Sequence, residues 1–255
     1  MLSALLALQL PFATHAASVP VRYTEGSARG LLVLRNLDGV ILASGELRQV
    51  TRGGQVTARL TFHFKDGSIN EETTVYSQRS EFRLLSNRLV QRGPSFPHPI
   101  DMSFDVPTGT VTIRSEDGGK EKVETQHLDL PADVSNGIFL NIIKNLGPTA
   151  GETKVSMLAG GSKPRLVKLA ISPGGEEAFS VAGYAHKARR YVVKVEVGGI
   201  AGVVAPLIGK APSDIHVWVM EGVPPTMLRV ESQLYLNGPI WRIELTSPAW
   251  QHHER

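Results

Sequence analysis

Residues 56–64 constrain the fold more than any other part of the chain. Val56, Ala58, Leu60, Phe62 and Phe64 alternate with Thr57, Arg59, Thr61 and His63. Successive side chains of a strand point to opposite faces, so a strict period of two marks a strand with one face buried and the other in water. Such a strand needs hydrogen-bonded neighbours, and its flanks announce them. Arg52-Gly53-Gly54 precedes it and Asp66-Gly67 follows it. Glycine beside a polar residue supplies the positive φ of a tight hairpin turn. Leu37-Asp38-Gly39 and Asp117-Gly118-Gly119 give the same signal. A meander of antiparallel hairpins is therefore expected.

The second half continues the pattern. Strand-like stretches fall at 165–172, 178–184, 190–197, 216–220, 227–236 and 241–245, with Pro173-Gly174-Gly175 and Asn237-Gly238-Pro239 read as turns. Pro94, Pro97 and Pro99 lack ladder donors, so 93–99 is expected to be a crossing loop or a strand edge. One helix is expected over 134–146. Val134, Ile138, Ile142 and Leu146 recur at four-residue spacing, Asp133 or Ser135 is positioned to cap it, and Gly147-Pro148 ends it. About a dozen strands and one principal helix make the fold class mainly β. The expected architecture is one large curved antiparallel sheet, a half-barrel or a barrel, in a single domain over 17–255.

Residues 2–10 form an apolar run that Pro11 breaks, and small residues at Thr14 and Ala16 suit signal-peptidase cleavage after Ala16. Residues 1–16 are thus read as a signal peptide, though the basic start typical of one is missing; a buried apolar N-terminus is the alternative. The run is too short to span a bilayer of roughly 30 Å, and no later stretch is long enough, so no transmembrane span is expected. Export implies a periplasmic or secreted protein.

The chain has no cysteine, which removes disulfides, thiolate chemistry and Cys-ligated zinc. Its formal charge of +3 is slight for a nucleic-acid binder, and aromatics, at 6%, are too sparse for a base-stacking platform. Nucleophile-elbow, phosphate-loop, dinucleotide and His-Glu-x-x-His motifs are absent. No cofactor or metal is expected. His63 should face away from Phe62 and Phe64. His127 and His216 would matter only if they converged beside a carboxylate. Glu71-Glu72 and Glu176-Glu177 are adjacent on strands, so each pair points to opposite faces and neither is a dyad. Lys187, Arg189 and Arg190 form a short basic cluster, read either as a solvated edge or as a lipid-headgroup contact.

Residues 198–212 are Gly-rich and apolar, with one charge at Lys210. A buried bend, a flap over an apolar cavity and a lipid-touching surface all fit; as a flap or portal it would work through Ile200, Val203, Val204, Leu207 and Ile208. Phe62, Phe64, Phe82, Phe104, Ile138, Phe139, Ile142 and Ile143 are the candidate core or cavity-lining residues, and sequence does not separate those two roles.

Residues 66–97, with Ser80-Glu81-Phe82, and residues 216–248, with Trp218, Trp241 and a Pro-containing turn, resemble uncharacterised exported bacterial proteins. The order of elements is similar to the periplasmic lipoprotein-carrier (LolA-like) fold. That resemblance implies a half-barrel wrapped around an apolar cavity and closed by helix. The leading expectation is a non-enzymatic exported protein that holds a lipid or acyl chain. An envelope interaction or scaffold protein without a pocket is the alternative. A hydrolase acting on envelope lipid or polysaccharide is a second one.

Overall fold

The computed structural model describes residues 19–117, 120–147, 149–160, 163–181, 184–196 and 212–247. Among these, fourteen strands and one helix follow in chain order: β1 (Ala28–Arg35), β2 (Ile41–Arg52), β3 (Gln55–Phe64), β4 (Ile69–Gln78), β5 (Phe82–Arg92), β6 (Ile100–Asp105), β7 (Thr110–Asp117), β8 (Lys120–His127), α1 (Phe139–Asn145), β9 (Thr153–Ala159), β10 (Arg165–Val181), β11 (Tyr184–Glu196), β12 (Ile215–Met220), β13 (Thr226–Gln233) and β14 (Ile240–Ser247). They form one antiparallel sheet in the order β8-β7-β6-β5-β4-β3-β2-β1-β14-β13-β12-β11-β10-β9. Two meanders are thus joined where the first strand pairs with the last, and the sheet is not closed.

The turns follow from local chemistry. Between β2 and β3, Gly53 and Gly54 both have positive φ, 57° and 77°, as a two-residue hairpin of the mirror-image type I requires. This turn sets Arg52 opposite Gln55 and carries the register to Ala43 opposite Phe64. Every even-numbered residue of β3 therefore faces inward.

The sheet is strongly curled. Phe64 on β3 lies three strands from Trp241 on β14, roughly 14 Å away in a flat sheet, yet their ring centroids are 5.3 Å apart. At the start of the loop beyond β9, Gly160 meets Met102 and Ile100 of β6 across a gap that would be roughly 50 Å of flat sheet. The meander thus wraps one core, and the β7–β8 ribbon extends past the meeting point; every residue of β8 is exposed.

Two groups close the interior. At one end Phe64, Phe96, Tyr235 and Trp241 pack edge-to-face or tilted, and Gln91 Nε2 donates to Leu234 O at 2.9 Å. The 93–99 loop is the β5–β6 connection that brings Phe96 there. At the other end α1 lies inside the curl, where Asn141 Nδ2 donates to the Tyr76 hydroxyl at 2.7 Å. The N-terminal arm crosses that end: Asn145 Oδ1 accepts from the amides of Arg22 and Tyr23, and Lys144 pairs with Glu25.

The outer face is charged. Cross-strand pairs Arg59–Glu71, Arg88–Asp101, Arg229–Glu244 and Arg242–Glu231 lie at 2.5–2.9 Å. Exposed pairs add little stability, but they fix which face meets water. No helix among the described residues is long and apolar enough to cross a membrane.

Two sequence expectations are corrected. The helix is only Phe139–Asn145, seven residues, not 134–146. Asp133, Ser135 and Asn136 bond β9 instead of capping: Ser135 donates to Ser156 O, Asn136 pairs with the Leu158 backbone, and Asp133 accepts from Ser156 Oγ. Val134 bridges Ser156, so this segment covers the edge of β9. Gly137, at φ 68°, then breaks any helical run before Ile138. Second, Pro173-Gly174-Gly175 is a bulge within one 17-residue strand, not a turn. One extra residue between Pro173 and Glu176 re-phases β10 without ending its pairing with β11.

Candidate functional site

The register of β2 to β7 lays out three adjacent rows on the inner face. One row runs Gly45, Phe62, Asn70, Gln91, Ile100. The middle row runs Leu47, Leu60, Glu72, Leu89, Met102, Ile113. The third runs Gln49, Ala58, Thr74, Asn87, Phe104, Val111. A polar strip thus runs through the interior along β4 and β5, and a carboxyl stands at its centre.

Glu72 is held by one side-chain hydrogen bond, from Asn87 Nδ2 to Oε1 at 2.8 Å. The same amide donates to Thr74 Oγ1 at 3.1 Å. Gln91 Nε2 donates to Asn70 Oδ1 at 2.8 Å and to Leu234 O. Both amides spend their N–H groups this way, and Asn87 Oδ1 and Gln91 Oε1 are buried without a partner. Asn87 and Gln91 are 3% and 1% exposed, so an unpartnered acceptor there is costly. Burial, the dominant cause, pushes the Glu72 carboxyl above its usual range, and the Asn87 bond opposes it weakly. Burial, with Glu25 nearby, raises the Tyr76 hydroxyl also.

In the middle row Leu47, Leu60, Leu89 and Glu72 are half-buried and Met102 is buried; in the flanking rows Phe62, Asn70, Gln91, Thr74, Asn87 and Phe104 are buried, and Ala58 and Ile100 are half-buried. This half-buried row lies between the aromatic end and the helix end.

A raised carboxyl pKa has a defined consequence for stability. A folded-state pKa above the unfolded value means that the native state binds the proton more tightly. That carboxyl therefore favours the fold at low pH and costs stability as pH rises through the native pKa. Glu72→Gln keeps the acceptor for Asn87 and removes the titration. It is expected to raise Tm at pH 7 by roughly 2–6 °C, for about 1–2 kcal/mol. The difference should shrink toward zero as pH falls below the ordinary carboxylate range. Thermal melts of both proteins from acid to neutral pH check this, and a gap constant across pH would contradict it.

The other candidates are distributed as follows. Phe62, Phe64, Phe82, Phe104, Ile138, Ile142 and Ile143 are buried in the single core, and Phe139 is half-buried against it. Phe62 and Phe104 belong to the rows beside Glu72, Phe64 to the aromatic end, and Phe82 and the helix residues to the other end. Ile200, Val203, Val204, Leu207 and Ile208 lie outside the described residues, as do residues 1–16 and the tail with His252 and His253.

His63 is exposed, on the face opposite Phe62. His127 sits on the exposed β8, and His216 lies outward beside Trp218, ring centroids 6.1 Å apart. Neither bonds a carboxylate. Among the described residues no group of three metal-ligating side chains forms. The basic cluster is neutralised: Arg189 pairs with Glu221 and Glu176, Lys187 with Glu176, and Arg190 with Glu177. A small outer cluster of Trp218, Met220 and Leu228 is capped by Arg229, which stacks on Phe179 and Trp218, and by Glu177, which accepts from the indole N–H at 2.8 Å. An open groove of about 280 Å³ crosses β4–β7 beside Arg88, whose guanidinium is held bidentately by Asp101.

Sequence reasoning placed Glu71 and Glu72 on opposite faces, and they are: Glu71 meets Arg59 outside, Glu72 meets Asn87 inside. It missed that the inner one sits centrally. No family model, no curated protein and no solved structure matches this chain. Among the described residues the fold is one curled, unclosed antiparallel sheet with a helix in one end, aromatic rings in the other, and a carboxyl between them.

Proposed function

We propose that this is a non-enzymatic exported protein that binds an apolar ligand on the inner face of its curled sheet. The observation that carries the reading is the half-buried row Leu47, Leu60 and Leu89, facing inward between two closed ends. Native cores fill such positions tightly, and apolar side chains that are not fully covered gain by covering. The resemblance to the lipoprotein-carrier fold and the apolar segment at residues 2–10 support export and a lipid or acyl chain as ligand. An envelope interaction protein is the second reading, favoured by β8, an edge strand exposed along all eight residues.

Uptake of N-phenylnaphthylamine, whose fluorescence rises in apolar surroundings, tests the first reading. Saturable binding is expected, weakened by about tenfold or more in Leu60→Trp, whose larger side chain fills the row. No saturable uptake by the native chain, or equal binding by a folded Leu60→Trp variant, would count against it.

A further inference from the structure

The polar strip restricts which apolar ligand can be accommodated. Every amide N–H of Asn87 and Gln91 is spent on a protein acceptor, while their oxygens are not matched. Glu72 adds a carboxylate whose second oxygen accepts no bond among the described residues. Its cross-strand neighbours on the inner face are Leu60 and Leu89, not cations. The lysines of the helix end and of the β9 edge are already taken: Lys144 pairs with Glu25 and Lys168 with Asp133. The strip has a surplus of acceptors, and Glu72, when ionised, has no described cation beside it.

Resting on the apolar-ligand reading above, we infer that the inner site takes an amphiphile with a hydrogen-bond-donating, positively charged head group, of the alkylamine class, and discriminates against a carboxylate head. An ammonium carries three N–H donors and no acceptor, which complements Glu72 and the acceptors beside it. A fatty-acid carboxylate would bring a second negative charge beside Glu72 into surroundings of low dielectric, with no described cation to offset it. A long-chain alcohol falls between, with one donor and no charge. The formal charge of the whole chain is +3, so non-specific attraction would favour the carboxylate. A preference for the amine is thus not a surface effect.

The test is displacement of N-phenylnaphthylamine from the full chain by dodecylamine, dodecanol and dodecanoate, all below their micellar concentrations. Dodecylamine is expected to displace the dye at concentrations at least about tenfold lower than dodecanoate, about 1.4 kcal/mol of discrimination. In Glu72→Gln, shown folded by its thermal melt, the amine and carboxylate should converge to within about threefold, each measured against that variant's own dye affinity. Equal or better displacement by dodecanoate, or an unchanged ratio in Glu72→Gln, would overturn the head-group assignment alone. Failure of the dye to bind at all would overturn both this inference and the apolar-ligand reading.

Discussion

Replacing Phe62 by alanine should cost about 3–5 kcal/mol and lower Tm by roughly 6–20 °C. The ring is fully buried near the C-terminal end of β3. It also lies over β2, where a Cβ added to Gly45 would come within 2.4 Å of Phe62 Cε1 and 2.6 Å of Cδ1. Gly45 therefore has no side chain because Phe62 occupies its place. Gly45→Ala alone should cost about 1–3 kcal/mol, since a well-packed ring must shift. With Phe62→Ala already present the clash is gone, and the new methyl fills part of the void. The double variant should then be more stable than the summed single effects predict, by about 1 kcal/mol or more. Equilibrium denaturation of the four proteins measures the coupling, and strict additivity would mean the two residues do not share that space.

Gly137→Ala is the second large effect expected. The residue has φ 68°, and an added Cβ would stand 2.0 Å from Thr74 Oγ1. Left-handed backbone costs a non-glycine residue about 1–2 kcal/mol, and the overlap with β4 adds about 1–3 kcal/mol. Thr74→Ala in the same chain should recover the steric part and leave the backbone part. Gly39→Ala isolates that part, because Gly39 has φ 88° and nothing within 4 Å of an added Cβ. If Gly137→Ala cost no more than Gly39→Ala, the pre-helix segment would not rest on the polar strip. The pair matters for the site because Thr74 also accepts from Asn87, the amide that holds Glu72.

The strand framework was legible in the sequence where chemistry is local. The alternation over residues 56–64 gives β3 and its inner face, and Gly53-Gly54 and Asp66-Gly67 give its two turns. The helix was less legible because side chains that usually cap helices can equally bond a sheet edge. Ser135 and Asn136 do so on β9, a non-local partner that spacing does not reveal. The bulge at Pro173-Gly174-Gly175 carries the same residues as a turn, and only the long pairing of β10 with β11 distinguishes the two.

The site was the least legible part. β4 reads Ile69-Asn70-Glu71-Glu72-Thr73-Thr74-Val75-Tyr76-Ser77-Gln78, polar on both faces. Its inner face is fixed by register with β3, where Leu60 stands opposite Glu72. The available signal was an adjacent carboxylate pair on a strand whose neighbour alternates cleanly, since one of the two must then face the apolar side. Four of the five phenylalanines expected from sequence are buried, and Phe139 is half-buried. The half-buried inner row is made of leucines that composition does not distinguish from core.

Native mass spectrometry of the purified chain, before and after organic extraction, decides whether the curled sheet holds a ligand. The native protein is expected to carry a stoichiometric adduct that extracts as a single class of amphiphile and is restored by adding it back. A bare polypeptide mass, together with no uptake of N-phenylnaphthylamine, would contradict it.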